Sequence, residues 1–250
     1  LLSLVQQRSA SDSQRPSTPL KITISDLLSS GIATTVTGVS GLWAVAFSST
    51  SQKCSTEESK GLVGGKSVAV YEAYSLEPRR VCRQRILCTQ DSSSGIKAEA
   101  EPVCSFTVDA DSSRFVDVMV NRCASLVAIR TFDNTVRLLG AQKLDLRCSF
   151  QHEYLLEDAA FLTSNQLLCG IQDGTLVRYD LPDQMFLEQD SQISSSALTP
   201  VTLTTDDAEC EDHMAVAVSP DGEWVLSGNA SMVVRLWRAS DLRAVQGGRC

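Results

Sequence analysis

The stretch Met214–Leu242, MAVAVSPDGEWVLSGNASMVVRLWRASDL, divides into three short strands and two tight turns. Ala215, Ala217 and Ser219 alternate with Val216 and Val218, the two-residue period of a strand with one buried face. Ser219-Pro220-Asp221-Gly222 supplies a turn, Trp224–Ser227 a second run, and Gly228-Asn229 the next break. Val233–Arg238 forms a third run, rich in β-branched and aromatic side chains.

At these residues the segment resembles one unit of the WD-repeat β-propeller family, in which a strand, a PDG turn, a strand, a turn and a V-R-L-W strand follow in that order. Two more stretches are similar to the family's D-G-T-V-R-L-W-D. One is Asp133-Asn134-Thr135-Val136-Arg137-Leu138-Leu139-Gly140, with Asn, Leu and Gly as departures. The other is Asp173-Gly174-Thr175-Leu176-Val177-Arg178-Tyr179-Asp180, with Tyr179 in the tryptophan slot that Trp237 fills in the last unit. Aligned on that slot, Tyr71 of a fainter first unit, Leu139, Tyr179 and Trp237 lie 68, 40 and 58 residues apart. The middle interval is the period of a four-stranded blade, and the longer ones contain polar stretches.

The resemblance implies an all-β fold, a partial β-propeller of WD-repeat type with about four blades of antiparallel strands. Residues 1–20 read as a flexible polar tail or linker, and 21–250 as the propeller segment. Its units are expected at about 41–88, 103–150, 151–187 and 213–250, with polar insertions at 49–60, 89–102 and 189–212. Ile22–Leu28 fits a strand or a short helix. Val81–Leu87 is expected as an outer strand, and Met185-Phe186-Leu187 can supply the outer strand of the third unit. Gln189–Ser196 then projects as solvated loop that can be deleted without harm to the fold. The family closes its ring with about seven blades, so further blades are expected outside these residues.

Composition narrows the function classes. No run approaches the ~18 consecutive apolar residues of a membrane-spanning helix, and the start at Leu1 shows no signal-peptide pattern, as expected of a segment of a longer polypeptide. The nine cysteines include no CxxC pair and are odd in number, which argues against a disulfide framework or a zinc site. They fit a reducing, intracellular setting, cytoplasmic or nuclear/nucleolar. The net charge of −8 belongs to one segment: Asp183–Asp212 holds eight acids and no Lys or Arg, and elsewhere 22 acids meet 22 bases.

The candidate site residues fall into three groups. His152 lies nine residues before Phe161, where the family carries its glycine-histidine dipeptide, and the resemblance implies that it reaches Asp173 and ties two loops of one blade. Tyr179, Asp133 and Trp237 are structural by the same likeness. His213 misses that slot and reads as an exposed loop residue. Arg79, Arg80, Arg83 and Arg85 put four positive charges within seven residues. They either blunt the edge of an outer strand or form a patch for an acidic partner or RNA phosphates. Asp206, Asp207, Glu209, Glu211 and Asp212 form the acidic cluster, either a tolerated insertion or a docking site for a basic segment.

Nothing in the sequence assembles a catalytic site. There are only two histidines and no nucleophile elbow. Gly61–Ser67 has three residues, not four, before its Gly-Lys pair and precedes a strand, which does not suit a phosphate loop. The expected function is a non-catalytic protein-interaction scaffold in a larger assembly, binding other proteins and needing no metal or cofactor, with no membrane association. The alternative is an RNA-associated component of a ribonucleoprotein such as a ribosome-assembly complex.

Overall fold

Alternating apolar positions become strands through most of the chain. The protein is described by a computed structural model over residues 2–5, 20–26, 33–39, 45–47, 52–53, 67–91, 95–172, 175–187, 192–203, 213–219, 221–230 and 232–249. Two units are distinguished, Leu1–Ala110 and Asp111–Cys250.

The first unit is one eight-stranded sheet in the order β1-β2-β3-β8-β7-β6-β4, with β5 also on β6. Its strands are β1 (Leu2–Val5), β2 (Leu20–Asp26), β3 (Ala33–Val39), β4 (Val45–Phe47), β5 (Gln52–Lys53), β6 (Ser67–Glu77), β7 (Arg80–Asp91) and β8 (Gly95–Thr107). All pairings are antiparallel except a single parallel bridge, Thr37 to Glu99 between β3 and β8.

Three expectations change here. The tail is not wholly polar coil, because Leu2–Val5 pairs with Thr23–Asp26 of β2, as its apolar LSLV suits. The insertion expected at 89–102 is largely strand. Ile96, Ala98 and Ala100 alternate with Lys97, Glu99 and Glu101, a two-residue period overlooked amid polar composition, and β8 pairs with β7 from Asp91–Gly95 to Arg80–Thr107. The segment Val81–Leu87 is therefore not an outer strand, since β7 lies between β6 and β8. Ser67 of the Gly61–Ser67 turn opens β6; its other residues lie outside the described ones.

The second unit stacks three four-stranded antiparallel sheets, each a simple meander. The first holds β9 (Phe115–Val120), β10 (Leu126–Thr131), β11 (Thr135–Gly140) and β12 (Leu146–Gln151). The second holds β13 (Leu156–Thr163), β14 (Gln166–Ile171), β15 (Leu176–Asp180) and β16 (Thr199–Leu203). The third holds β17 (His213–Val218), β18 (Trp224–Asn229), β19 (Val233–Arg238) and β20 (Ala244–Arg249). His213 thus opens a strand, its Cα paired with that of Asn229, and is not a loop residue.

Each inter-sheet layer holds an apolar cluster. Leu126, Ala128, Leu138 and Phe150 of the first sheet pack against Leu167, Cys169 and Tyr179 of the second. Leu162, Leu168 and Leu176 of the second meet Val216, Val225 and Trp237 of the third. Burial of such side chains stabilises by about 1.5–3 kcal/mol each, so stacking carries the fold. Polar ties set the register between sheets: Asn121 Nδ2 donates to the Ser164 carbonyl at 2.8 Å, and Arg130 Nη1 to that of Leu156 at 3.0 Å.

The outer strand of the second sheet is Thr199–Leu203, not Met185–Leu187. Pro182 precedes a 3-10 turn at Asp183–Phe186 that buries Met185. From there the chain crosses β12, the outer strand of the preceding sheet. Arg147 Nη1 donates to the Leu187 carbonyl, and the Ile193 N–H to the Arg147 carbonyl at 2.7 Å. A second 3-10 turn, Ser195–Ala197, follows. Gln189–Ser196 is therefore not all projecting loop, since Ile193 packs on the core. Gly140 makes this strap possible. A Cβ there would lie 2.6 Å from Asp145 Oδ1 and 2.9 Å from Arg147 Nε, the space that the Asp145–Arg147 ion pair fills.

Candidate interaction surface

The slot residues differ in how they satisfy burial. Trp237 buries its indole and donates Nε1–H to Ser227 Oγ at 2.8 Å, as an apolar site requires of a Trp. Leu139 is wholly buried and carries no polar atom to satisfy. Tyr179 places Oη 3.0 Å from His152 Nε2. Phe150 packs 4.5 Å from the Tyr179 ring and 5.8 Å from the His152 ring, centroid to centroid. Burial lowers the His152 pKa below its ordinary 6.5 and raises that of Tyr179. Burial thus favours the neutral form of both partners in this hydrogen bond.

His152 directly follows β12, and its own N–H bonds the Asn134 carbonyl at 3.0 Å. The pair thus ties the link between the first two sheets to the turn between β10 and β11. In that turn Asp133 Oδ1 accepts the Thr131 hydroxyl. Burial acts to raise the Asp133 pKa, but the Thr131 and Thr135 hydrogen bonds outweigh it and hold the carboxyl below its usual range. Asp173, the partner that the family likeness gives to His152, lies outside the described residues.

These bonded turns carry exposed apolar side chains at one end of the stack. Phe132 is 78% exposed, Tyr154 57% and Leu155 41%. They share an end because Thr135 of β11 is opposite Gln151 of β12, while Leu156 N–H donates to Asn134 Oδ1 at 3.2 Å. Backbone bonds hold both segments, Phe132 N–H to the Arg114 carbonyl and Gln172 N–H to that of Leu155, each 2.9 Å. Sequence reasoning missed these three residues. Their only signal is large apolar side chains among turn formers, which period-based reading passes over.

The four arginines do not form one patch. Arg83 is buried and ion-paired to Glu72, whose Oε2 also receives Arg83 Nε at 3.3 Å. Arg80 is opposite Glu77 in the β6–β7 pairing, and Arg85 is opposite Glu72 and Glu101. Arg79 is half-buried in the turn before β7, while Arg80 and Arg85 are exposed. Because β7 is an interior strand, these charges do not guard an edge. Asp206, Asp207, Glu209, Glu211 and Asp212 lie outside the described residues.

Among the described residues, no group of three or more His, Cys, Asp or Glu could hold a metal ion. No helix among them is long and apolar enough to cross a membrane. Cys82, Cys104, Cys123, Cys148 and Cys169 are free thiols.

No protein-family model matches the chain, and no curated protein matches it in sequence. Solved structures do. A chain in the humanized mutant of the Chaetomium thermophilum Polycomb Repressive Complex 2, bound to the inhibitor GSK126, is 14% identical with a TM-score of 0.57. The match covers 79% of this chain and 38% of that one. A chain in an active polycomb repressive complex 2 in the basal state is 15% identical with a TM-score of 0.51, over 78% of this chain and 36% of that one. This chain thus spans little more than a third of those chains. At such identities the likeness bears on the fold alone, which is all-β and of β-propeller type.

Proposed function

We propose that the chain is a non-catalytic protein-interaction scaffold within a larger intracellular assembly. The observation that carries this reading is the exposed set Phe132, Tyr154 and Leu155 at one end of the stack, on turns held by backbone hydrogen bonds. Exposed aromatic side chains on a rigid support bind with little ordering cost. Support also comes from the fold-level neighbours, which were solved within multi-protein complexes, and from cysteines without disulfide or zinc spacing. The RNA-associated alternative draws on Arg79, Arg80, Arg83 and Arg85, and it ranks second because Arg83 is neutralised by Glu72.

Affinity purification of the tagged chain from native extract tests the proposal, with wild type beside a Phe132→Ser/Tyr154→Ser double variant. The double variant is expected to lose a set of proteins while keeping the wild-type melting temperature. An identical protein set from both would overturn the reading. Partners lost only after nuclease treatment would favour the ribonucleoprotein alternative.

A further inference from the structure

The three stacked sheets place equivalent residues in register, and one position breaks the pattern. Leu138 is opposite Ala128 in the first sheet, and Leu236 is opposite Leu226 in the third. In the second sheet the equivalent residue, opposite Leu168, is Arg178. Leu168 and Leu176 lie on the face that packs against the third sheet, so Arg178 introduces a guanidinium where the sister sheets carry a methyl-branched chain.

That guanidinium lines a cavity of about 360 Å³ between the second and third sheets. Leu162 and Ala239 give the cavity apolar wall, and Thr163, Gln166 and Ser240 add polar groups. Arg238 and Glu223 also line it. Arg238 is more than half exposed, and its Nη1 lies 3.9 Å from Asp241 Oδ2. Arg178 is only 20% exposed. Its Nε faces Asp180 Oδ1 at 3.4 Å, too poorly aligned to satisfy that buried nitrogen. Gln166 Nε2 holds the same Asp180 oxygen at 2.7 Å. Asp180 therefore lies beside the guanidinium without hydrogen-bonding it, and the two terminal nitrogens have no described partner.

We propose that this cavity is a binding site for an acidic side chain, Asp or Glu, of a partner protein's peptide segment. A positioned guanidinium receives a carboxylate through two parallel N–H···O bonds, and partial burial strengthens them. The cavity is at the small end of ligand sites, sized for a side chain with its flanking backbone. The inference rests on the scaffold reading above and gives it a ligand chemistry.

Fluorescence anisotropy with labelled hexaglutamate, at low salt and with the whole chain, tests it. Wild type is expected to bind. Arg178→Leu restores the sister-sheet residue, so it should fold normally and bind about tenfold more weakly or worse. Arg178→Lys should also weaken binding, because an ammonium cannot form the fork. Lys143→Ala, in the exposed turn between β11 and β12 of the first sheet, should not. No hexaglutamate binding by wild type, or equal binding by Arg178→Leu, would overturn the site. Displacement by inorganic phosphate as readily as by unlabelled peptide would overturn its assignment to a peptide. If these outcomes fail while the protein set still depends on Phe132 and Tyr154, the cavity assignment falls and the scaffold reading stands.

Discussion

Asp158 and Val216 join the second sheet to the third through one carboxylate: Oδ2 accepts the Val216 N–H at 2.8 Å while Oδ1 accepts that of Ala159 at 2.9 Å. A single side chain thus satisfies the first strands of two neighbouring sheets. Replacing Asp158 with Ala leaves both N–H groups short of an acceptor, at a cost of about 1–3 kcal/mol. Asp158→Asn retains one acceptor oxygen and should cost less. Chemical denaturation measures the loss, and amide exchange at Val216 should quicken in the Ala variant. Unchanged exchange there would show that the bridge contributes nothing.

His152 gives the fold a pH dependence with a defined sign. Burial depresses its folded-state pKa below 6.5, so the unfolded chain takes up a proton first as pH falls. The stability it contributes is therefore present above about 6.5 and is lost as pH falls through the folded value. Asp117 acts oppositely. Burial raises its pKa above 3.8 against the pull of the Val118 N–H and Arg130. Its contribution is full below 3.8 and is lost as pH rises through the raised value. Comparing wild type with His152→Gln isolates the histidine. The variant should gain relative stability as pH drops from about 7 to 5, and parallel stability curves would refute the assignment.

What the sequence conveyed was local. The repeated run at Asp133–Gly140, Thr175–Asp180 and Val233–Arg238 located the third strands because alternation and turn chemistry are written in adjacent residues. The outer strand of the second sheet was misplaced because Met185 and Phe186 resemble strand residues, whereas their burial depends on β12, some 40 residues earlier. Arg147 was passed over for the same reason. Gly140 stood out only as a departure, and its role appears when the Asp145–Arg147 pair occupies the missing Cβ. Arg178 was visible in the order Val-Arg, where the other units read Arg-Leu, but the cavity it lines requires the neighbouring sheet. Phe132, Tyr154 and Leu155 have no period at all, because exposure of a turn side chain is set by what does not pack on it.

The strap across β12 should prove sensitive at both ends. Gly140→Ala forces a Cβ within 2.6 Å of Asp145 Oδ1, displacing the pair that lets Arg147 hold the Leu187 carbonyl. Such overpacking costs about 1–3 kcal/mol. Deleting Gln189–Ser196 removes Ile193 and uncovers part of the Met185 and Leu198 layer, so a loss of similar size is expected. Limited proteolysis after Leu187 should accelerate in both variants. A deletion variant as stable and protease-resistant as wild type would restore the view of this segment as a dispensable loop.

The third sheet presents a face that its sister sheets bury. Ala128 and Leu168 are both 0% exposed, while Leu226 at the same register is 46% exposed. Ala217 and Leu236, its cross-strand neighbours, are exposed and half-exposed respectively. In the first two sheets that face is covered by the next sheet in the stack. An uncovered apolar sheet surface is a site of self-association, so the isolated chain should form concentration-dependent oligomers. Leu226→Lys places a charge at the centre of the patch without disturbing the opposite, buried face of β18, where Val225 and Ser227 point. It should shift the chain toward monomer in sedimentation velocity with little change in melting temperature. A wild-type chain that is monodisperse and monomeric at high concentration would show that this face needs no cover.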